Sequence, residues 1–488
     1  MLAGPQDFQI AMAVSFAGHP LFGSGFAAPG RFEADVFDCE VEGRLPDGLH
    51  GGFYRLQCDF AYPPPANEWI SGFNGDGHVS RFWFEGGRVH YRGRYVQTER
   101  LLAERAAGRR LFGVYRNRLT DQPEAQGVNR SAANTNLVWH AGRMLALKED
   151  ALPYAIDPHT LATIGPYDYA GALTGETFSA HPKLDARTGR MMAYGYQARG
   201  DLSDDVVFYD IGPDGRIDRE VWLKALYPGI MHDIAVTERH VLLPVVPMTT
   251  SRERLEAGEP MWAWNASLPT MVGVFPRDGD ASDVRWFEGP ARLTLHFLNA
   301  VSEGDGVRME LPVSDGPGSP SQIRRWSFDL NSKDDRFGEE LVAGSSSPLA
   351  RIDDRSLGHP YRTAFAGHHD AGRPMRTDLM GRAAGFAANS WQRIDIGSGE
   401  VRGFFAGDAV GLQECCFVPR RPDAPEADGW LVGVASNYER QASDLIIVDT
   451  ERMEHVATVH LPFRLRSGTH GIWVGAQDLP TPPQDSTN

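Results

Sequence analysis

Apolar and polar residues alternate in short runs along most of this chain, and turn-forming residues separate the runs. Residues 79–84 alternate, Glu85-Gly86-Gly87-Arg88 reverses the direction, and residues 89–96 alternate again. A side-chain period of two belongs to a half-buried strand, and paired glycines supply the positive φ of a tight hairpin. The unit recurs at 137–147 around His140-Ala141-Gly142-Arg143, and again at 155–160, 185–196, 206–215, 394–399 and 445–452. Helical spacing is rare, and residues 101–110, rich in Leu and Ala, are its clearest case.

Hairpins spread evenly over more than 400 residues predict an all-β chain, and at this length a β-propeller. No repeated motif marks the blades, so they are read from rhythm alone; roughly seven fit the usual range of about four to eight. The expected layout is an N-terminal segment 1–30, one propeller domain 31–476 and a flexible tail 477–488. A chain of 488 residues with 53 Gly, 33 Pro and 42% hydrophobic residues suits many short strands around a large core.

The net charge of −16 disfavours nucleic acid and anionic membranes as partners. The locally basic stretch 105–118 reads as a solvated helix and loop. Cys39, Cys58, Cys415 and Cys416 form no C-x-x-C pair, which argues against a zinc or redox motif. Residues 10–16 are too short for a membrane span and poorly flanked for a signal peptide. A reduced, cytoplasmic protein is the expectation.

Among sixteen histidines, four have distinctive contexts: His181 in Phe-Ser-Ala-His-Pro-Lys, His232 in Met-His-Asp-Ile, His296 in Leu-His-Phe-Leu-Asn and His470 in Gly-Thr-His-Gly-Ile-Trp. Imidazole is the commonest side-chain metal ligand. Separations of 51, 64 and 174 residues let them meet only through the fold, and the inner strands of a propeller converge on one axis. Spacing alone does not separate this from four unrelated histidines. Four neutral imidazoles suit Zn, Cu, Fe or Ni rather than Mg or Ca. Such ligands call for carboxylates behind them. Glu149, after Met144-Leu145-Ala146-Leu147, and Glu414, before Cys415-Cys416-Phe417-Val418, are candidates for that role.

Several motifs occur in order: Phe73-Asn74-Gly75-Asp76-Gly77, Ala133-Asn134-Thr135-Asn136, Leu152-Pro153-Tyr154, Ala180-His181-Pro182-Lys183, Met231-His232-Asp233, Phe417-Val418-Pro419-Arg420 and His470-Gly471. On these the chain resembles the carotenoid cleavage oxygenases over about residues 37–473. The resemblance implies a seven-bladed propeller capped by loops and short helices, with one axial Fe(II) per chain on His181, His232, His296 and His470. O2 is the implied co-substrate. Glu149 matches the carboxylate behind the second histidine and Glu414 the one behind the fourth. Pro348 stands where the family carries a third, behind His296; Asp353 and Glu340 are the available substitutes.

Within the family the segments Arg94-Tyr95-Val96-Gln97-Thr98-Glu99-Arg100, Leu111-Phe112-Gly113-Val114-Tyr115-Arg116-Asn117 and Leu147-Lys148-Glu149-Asp150 are similar to the lignostilbene dioxygenase branch. The resemblance implies that Tyr115 and Lys148 hold a phenolic 4-hydroxyl and that Phe73 packs on an aromatic ring. The implied reaction cleaves the interphenyl double bond of a 4-hydroxystilbene with O2, giving two aromatic aldehydes. Isoeugenol-type or apocarotenoid cleavage is the alternative, and a non-catalytic ligand-binding propeller is a second one. A homodimer is expected from the resemblance only. Lys148 and Glu149 are consecutive, so both can serve one site only if the strand ends or bulges there.

Overall fold

The computed structural model describes residues 14–16, 18–19, 22, 25–64 and 73–481. Within them the strands form seven antiparallel sheets, the blades of a seven-bladed β-propeller. Five blades are consecutive along the chain. They start at the inner strands Asn136–His140, Lys183–Leu184, Gly229–Ile230 with Ala235–Val236, Asn299–Glu303 and Ala350–Ile352. Each then steps outward by hairpins.

The remaining two blades close the ring with both ends of the chain. Gly468–Gly475 pairs with Gly51–Asp59 and becomes the inner strand of the first blade. Glu40–Gly43 pairs with Glu454–His460 and becomes the outer strand of the last. At this seam Phe53, Phe82 and Tyr91 of the first blade pack on Val432, Leu445 and Ile447 of the last. Such inter-blade layers are the core of the molecule, and burial of their apolar surface is the main stabilising term.

Local sequence explains the blade edges. Glu85 pairs with Arg88 across Gly86 and Gly87, whose φ values of 57° and 75° demand glycine in a two-residue turn. The following strand Arg88–Tyr95 buries Val89, Tyr91, Gly93 and Tyr95 on one face. Strands nearer the axis, such as Met191–Tyr196, are buried on both faces and lose the alternation.

Between the first and second blades lies the helix Glu99–Ala107, begun by Thr98, whose side chain accepts from the Leu101 N–H, and ended by Gly108 at φ 65°. After it come the short 3-10 turns Arg118–Thr120 and Pro123–Ala125. These meet the helix Arg252–Glu256 of the fourth blade, where the Asn117 amide donates to the Leu255 carbonyl at 2.8 Å. The two segments form a cap of loops and short helices. The basic stretch 105–118 is not uniformly solvated as expected: Arg116 is buried, and the Arg110 side chain is 8% exposed. Cap packing takes in these two, while Arg109 and Arg118 stay at the surface.

All four cysteines are buried and unbridged. Cys415 and Cys416 face different core layers. Ordered packing continues past residue 476: Ala476–Asp478 forms a 3-10 turn, Leu479 is buried, and the Pro480 carbonyl lies 2.7 Å from His159 Nε2. Among the described residues no helix is long and apolar enough to cross a membrane.

Candidate metal centre

Each of the four histidines sits on or beside an inner strand at the same end of the propeller. His181 precedes Lys183–Leu184, His232 lies between Gly229–Ile230 and Ala235–Val236, His296 precedes Asn299–Glu303, and His470 lies within Gly468–Gly475. One ring nitrogen from each falls within 4.8 Å of all the others. The ring centroids of neighbouring imidazoles are 4.6–5.0 Å apart, and the Nε2 atoms of His181 and His232 face each other at 3.0 Å.

Burial, reinforced by the neighbouring imidazoles, holds His181 and His296 well below the ordinary histidine pKa. They are therefore neutral, with lone pairs to offer. Both ring nitrogens of His296 are buried without a hydrogen-bond partner. An orphaned buried nitrogen within a ring of imidazole donors is what a bound cation would satisfy. The donor set, all neutral nitrogen, fits a first-row transition ion such as Fe(II).

Two carboxylates stand behind the ring. Glu149 Oε2 lies 2.5 Å from His232 Nδ1, and its Oε1 accepts from the Tyr115 hydroxyl at 2.5 Å. Glu414 Oε1 lies 2.9 Å from His470 Nδ1, while its Oε2 accepts from the Gly471 N–H and faces Arg351 at 3.5 Å. Burial alone would raise both carboxyl pKa values. The facing histidine, with Arg116 at Glu149 and Arg351 at Glu414, brings each below the usual range. Both are anions that fix the tautomer and orientation of the ring they touch.

His296 has no carboxylate, and neither substitute reaches it. Asp353 is tied to Arg355 and to the Ala427 N–H; Glu340 is an exposed partner of Arg325. The polar group acting on His296 from behind is the Pro348 carbonyl. Its backbone is held by Asp233, whose Oδ2 accepts from the Phe297 N–H at 3.0 Å and whose Oδ1 pairs with Lys183 at 2.7 Å. Asp233 thus ties together the segments carrying His181, His232 and His296. Sequence reasoning missed this clasp, although Lys183 and Asp233 stand in the histidine motifs themselves.

The strand Arg143–Leu147 ends one residue before Lys148. Lys148 and Glu149 therefore escape strand alternation, both are buried, and both touch Tyr115. Lys148 Nζ donates to the Phe73 carbonyl at 2.9 Å and lies 4.3 Å from the Tyr115 ring centroid. Burial, opposed by Asp150 and Glu149, lowers the Lys148 pKa; burial with the same two carboxylates raises that of Tyr115. The Phe73 side chain is 53% exposed, so here its carbonyl rather than its ring meets the cluster. Tyr115, Lys148, Glu149 and the histidines thus form one connected group.

Residues 27–475 match the family model of the retinal pigment epithelial membrane protein. An isoeugenol monooxygenase of Pseudomonas putida is 39% identical, covering 92% of this chain and 97% of that one. Isozyme III of lignostilbene-α,β-dioxygenase from Sphingomonas paucimobilis is 36% identical, with 94% and 97% covered. The crystal structure of Pseudomonas brassicacearum lignostilbene dioxygenase superposes with a TM-score of 0.91 at 39% identity, covering 95% of this chain and all of that one. With a matching propeller and four histidines gathered at one end of it, the chain belongs to the carotenoid cleavage oxygenase family.

Proposed function

We propose that this protein is an Fe(II)-dependent dioxygenase that cleaves the interphenyl double bond of 4-hydroxystilbenes. One O2 is consumed, the C=C bond breaks, and each carbon leaves as an aldehyde carrying one oxygen atom. His181, His232, His296 and His470 would hold the iron, which when bound supplies O2 activation.

The observation that carries the reading is Lys148, a buried ammonium beside Tyr115 and one residue from the carboxylate behind His232. A buried cation favours an ionised phenol next to it. Tyr115 donates its hydroxyl hydrogen bond to Glu149, so its oxygen is left as an acceptor toward a substrate hydroxyl. A 4-hydroxyl held there donates to Tyr115 and receives from Lys148 Nζ. With Lys148 favouring negative charge on the phenolic oxygen while its proton stays shared with the Tyr115 oxygen, electron density shifts along the conjugated chain toward the double bond. The cap keeps water from the charged pair, which strengthens both contacts. Phe73 would close on the ring from the rim. Isoeugenol and lignostilbene, named in the relatives, are both phenols with a conjugated double bond.

The test is a substrate panel on Fe(II)-loaded protein: 4-hydroxystilbene, its 4-methoxy analogue, isoeugenol and an apocarotenoid. Cleavage of the hydroxystilbene to two aldehydes, with the methoxy analogue slower by about 100-fold, is expected from loss of a charge-assisted contact in a buried site. Turnover of the apocarotenoid alone refutes the reading, and turnover of isoeugenol alone moves the substrate to a phenylpropene.

A further inference from the structure

Next to Tyr115 the fold buries a guanidinium that forms no salt bridge among the described residues. Arg116 is 2% exposed, and its Nη1 has no hydrogen-bond partner among the described residues. Glu149 and Asp150 act on it only as charges through space. Other arginines of the same stretch are treated differently: Arg109 pairs with Glu124 at 2.6 Å and Arg118 with Glu176 at 3.4 Å, all at the surface. The backbone at Arg116 has φ 55°, a region that long side chains rarely adopt.

The guanidinium Cζ lies 4.3 Å from the ring centre of Tyr196 and 6.0 Å from that of Trp262. Trp262 is 7% exposed, and its indole Nε1 is buried without a partner. The Tyr196 hydroxyl approaches both Arg116 and Glu149, and Nη1 of the guanidinium stays unpartnered. Two orphaned donors, one of them on a permanent cation, therefore belong to side chains in ring contact. An unpaired buried N–H is costly, and a ligand that accepts from both donors removes that cost.

We propose that Arg116 and Trp262 form the binding site for an oxyanion carried by an aromatic substrate, a carboxylate or a phenolate, with Tyr196 as its stacking platform. The guanidinium offers a planar fork to two oxygen lone pairs, and the indole adds one N–H. The proposal rests on the reading of the adjoining cleft as the substrate site, because Arg116 borders the same Tyr115 and Glu149. It gives that cleft a second polar contact besides Lys148, and so an orientation for the substrate.

The experiment is calorimetric titration of the Fe(II)-loaded protein with benzoate, with 4-nitrophenolate at a pH where it is ionised, and with neutral benzamide. At least one anion binds about 10-fold or more tighter than benzamide, as a charge-assisted contact requires. Benzoate alone identifies a carboxylate site, and nitrophenolate alone a phenolate site. Trp262→Phe keeps the ring and removes one N–H, weakening the anion by about 5–10-fold with benzamide unchanged. Arg116→Lys keeps the charge, removes the fork and weakens it by about 10-fold or more. If Arg116→Lys fails to fold, Trp262→Phe decides alone. Anions that bind no tighter than benzamide, or variants that bind them as the parent does, overturn the proposal. Anion binding that depends on Arg116 in a protein that cleaves no stilbene refutes the proposed function and leaves this site standing.

Discussion

Lys148 and Glu149 share a turn but make different contacts, Lys148 with the Phe73 carbonyl and the Tyr115 ring, Glu149 with His232 and the Tyr115 hydroxyl. Lys148→Met is expected to lower kcat/KM for 4-hydroxystilbene by about 100-fold, with iron per chain unchanged. Loss of iron in parallel would make Lys148 a structural residue. Burial lowers the Lys148 pKa, so its charge is lost on raising the pH through a value below that of an ordinary lysine. Turnover of phenols should therefore fall on the alkaline side earlier than a free lysine would dictate, and pH profiles of parent and Lys148→Met would show that limb only in the parent. At the histidines, Glu414→Gln keeps the shape and removes the anion behind His470; iron affinity should drop by about 10–100-fold. His296→Ala should abolish stoichiometric iron, measurable by metal analysis after anaerobic loading.

At the level of elements, the buried amide of Asn117 on the Leu255 carbonyl joins the two halves of the cap. Asn117→Ala should cost about 1–3 kcal/mol by leaving that carbonyl unpaired. Protease sites within 251–262 should open first, with iron content retained; limited proteolysis reads this directly. Hairpins such as the pair joined by Gly86 and Gly87 were legible because edge strands have one wet face. Met191–Tyr196 was legible mainly from its flanking turns, since burial on both faces erases alternation. The end of the strand at Leu147 was readable only as a requirement of Lys148 and Glu149. The clasp of Asp233 on Lys183 and the Phe297 N–H was not readable at all, because a pairing across three blades leaves no local pattern. For the same reason Arg116 read as one more solvated charge: its burial comes from Tyr196 and Trp262, far away in sequence.

For the whole molecule, the metal and the ring closure are one thermodynamic unit, since His470 lies on the strand that seals the first blade. A ligand that binds only the folded state stabilises it by about 2.7 kcal/mol at 100 times its Kd. Fe(II) at that excess should raise the unfolding free energy accordingly, and chelation should reverse it. His470→Ala should remove this iron-dependent gain while leaving the metal-free protein near parent stability, which denaturant melts with and without Fe(II) would reveal.

The position of that strand also sets a timetable. His181, His232 and His296 leave the ribosome long before His470, which follows His296 by 174 residues. A nascent polypeptide therefore carries an incomplete donor set on an unsealed ring, and cannot hold iron as the finished protein does. Completion of the donor set waits for the segment that carries His470, and a message truncated ahead of residue 468 yields a product that lacks both its last donor and its latch. For such a product degradation, rather than partial activity, is the expected fate.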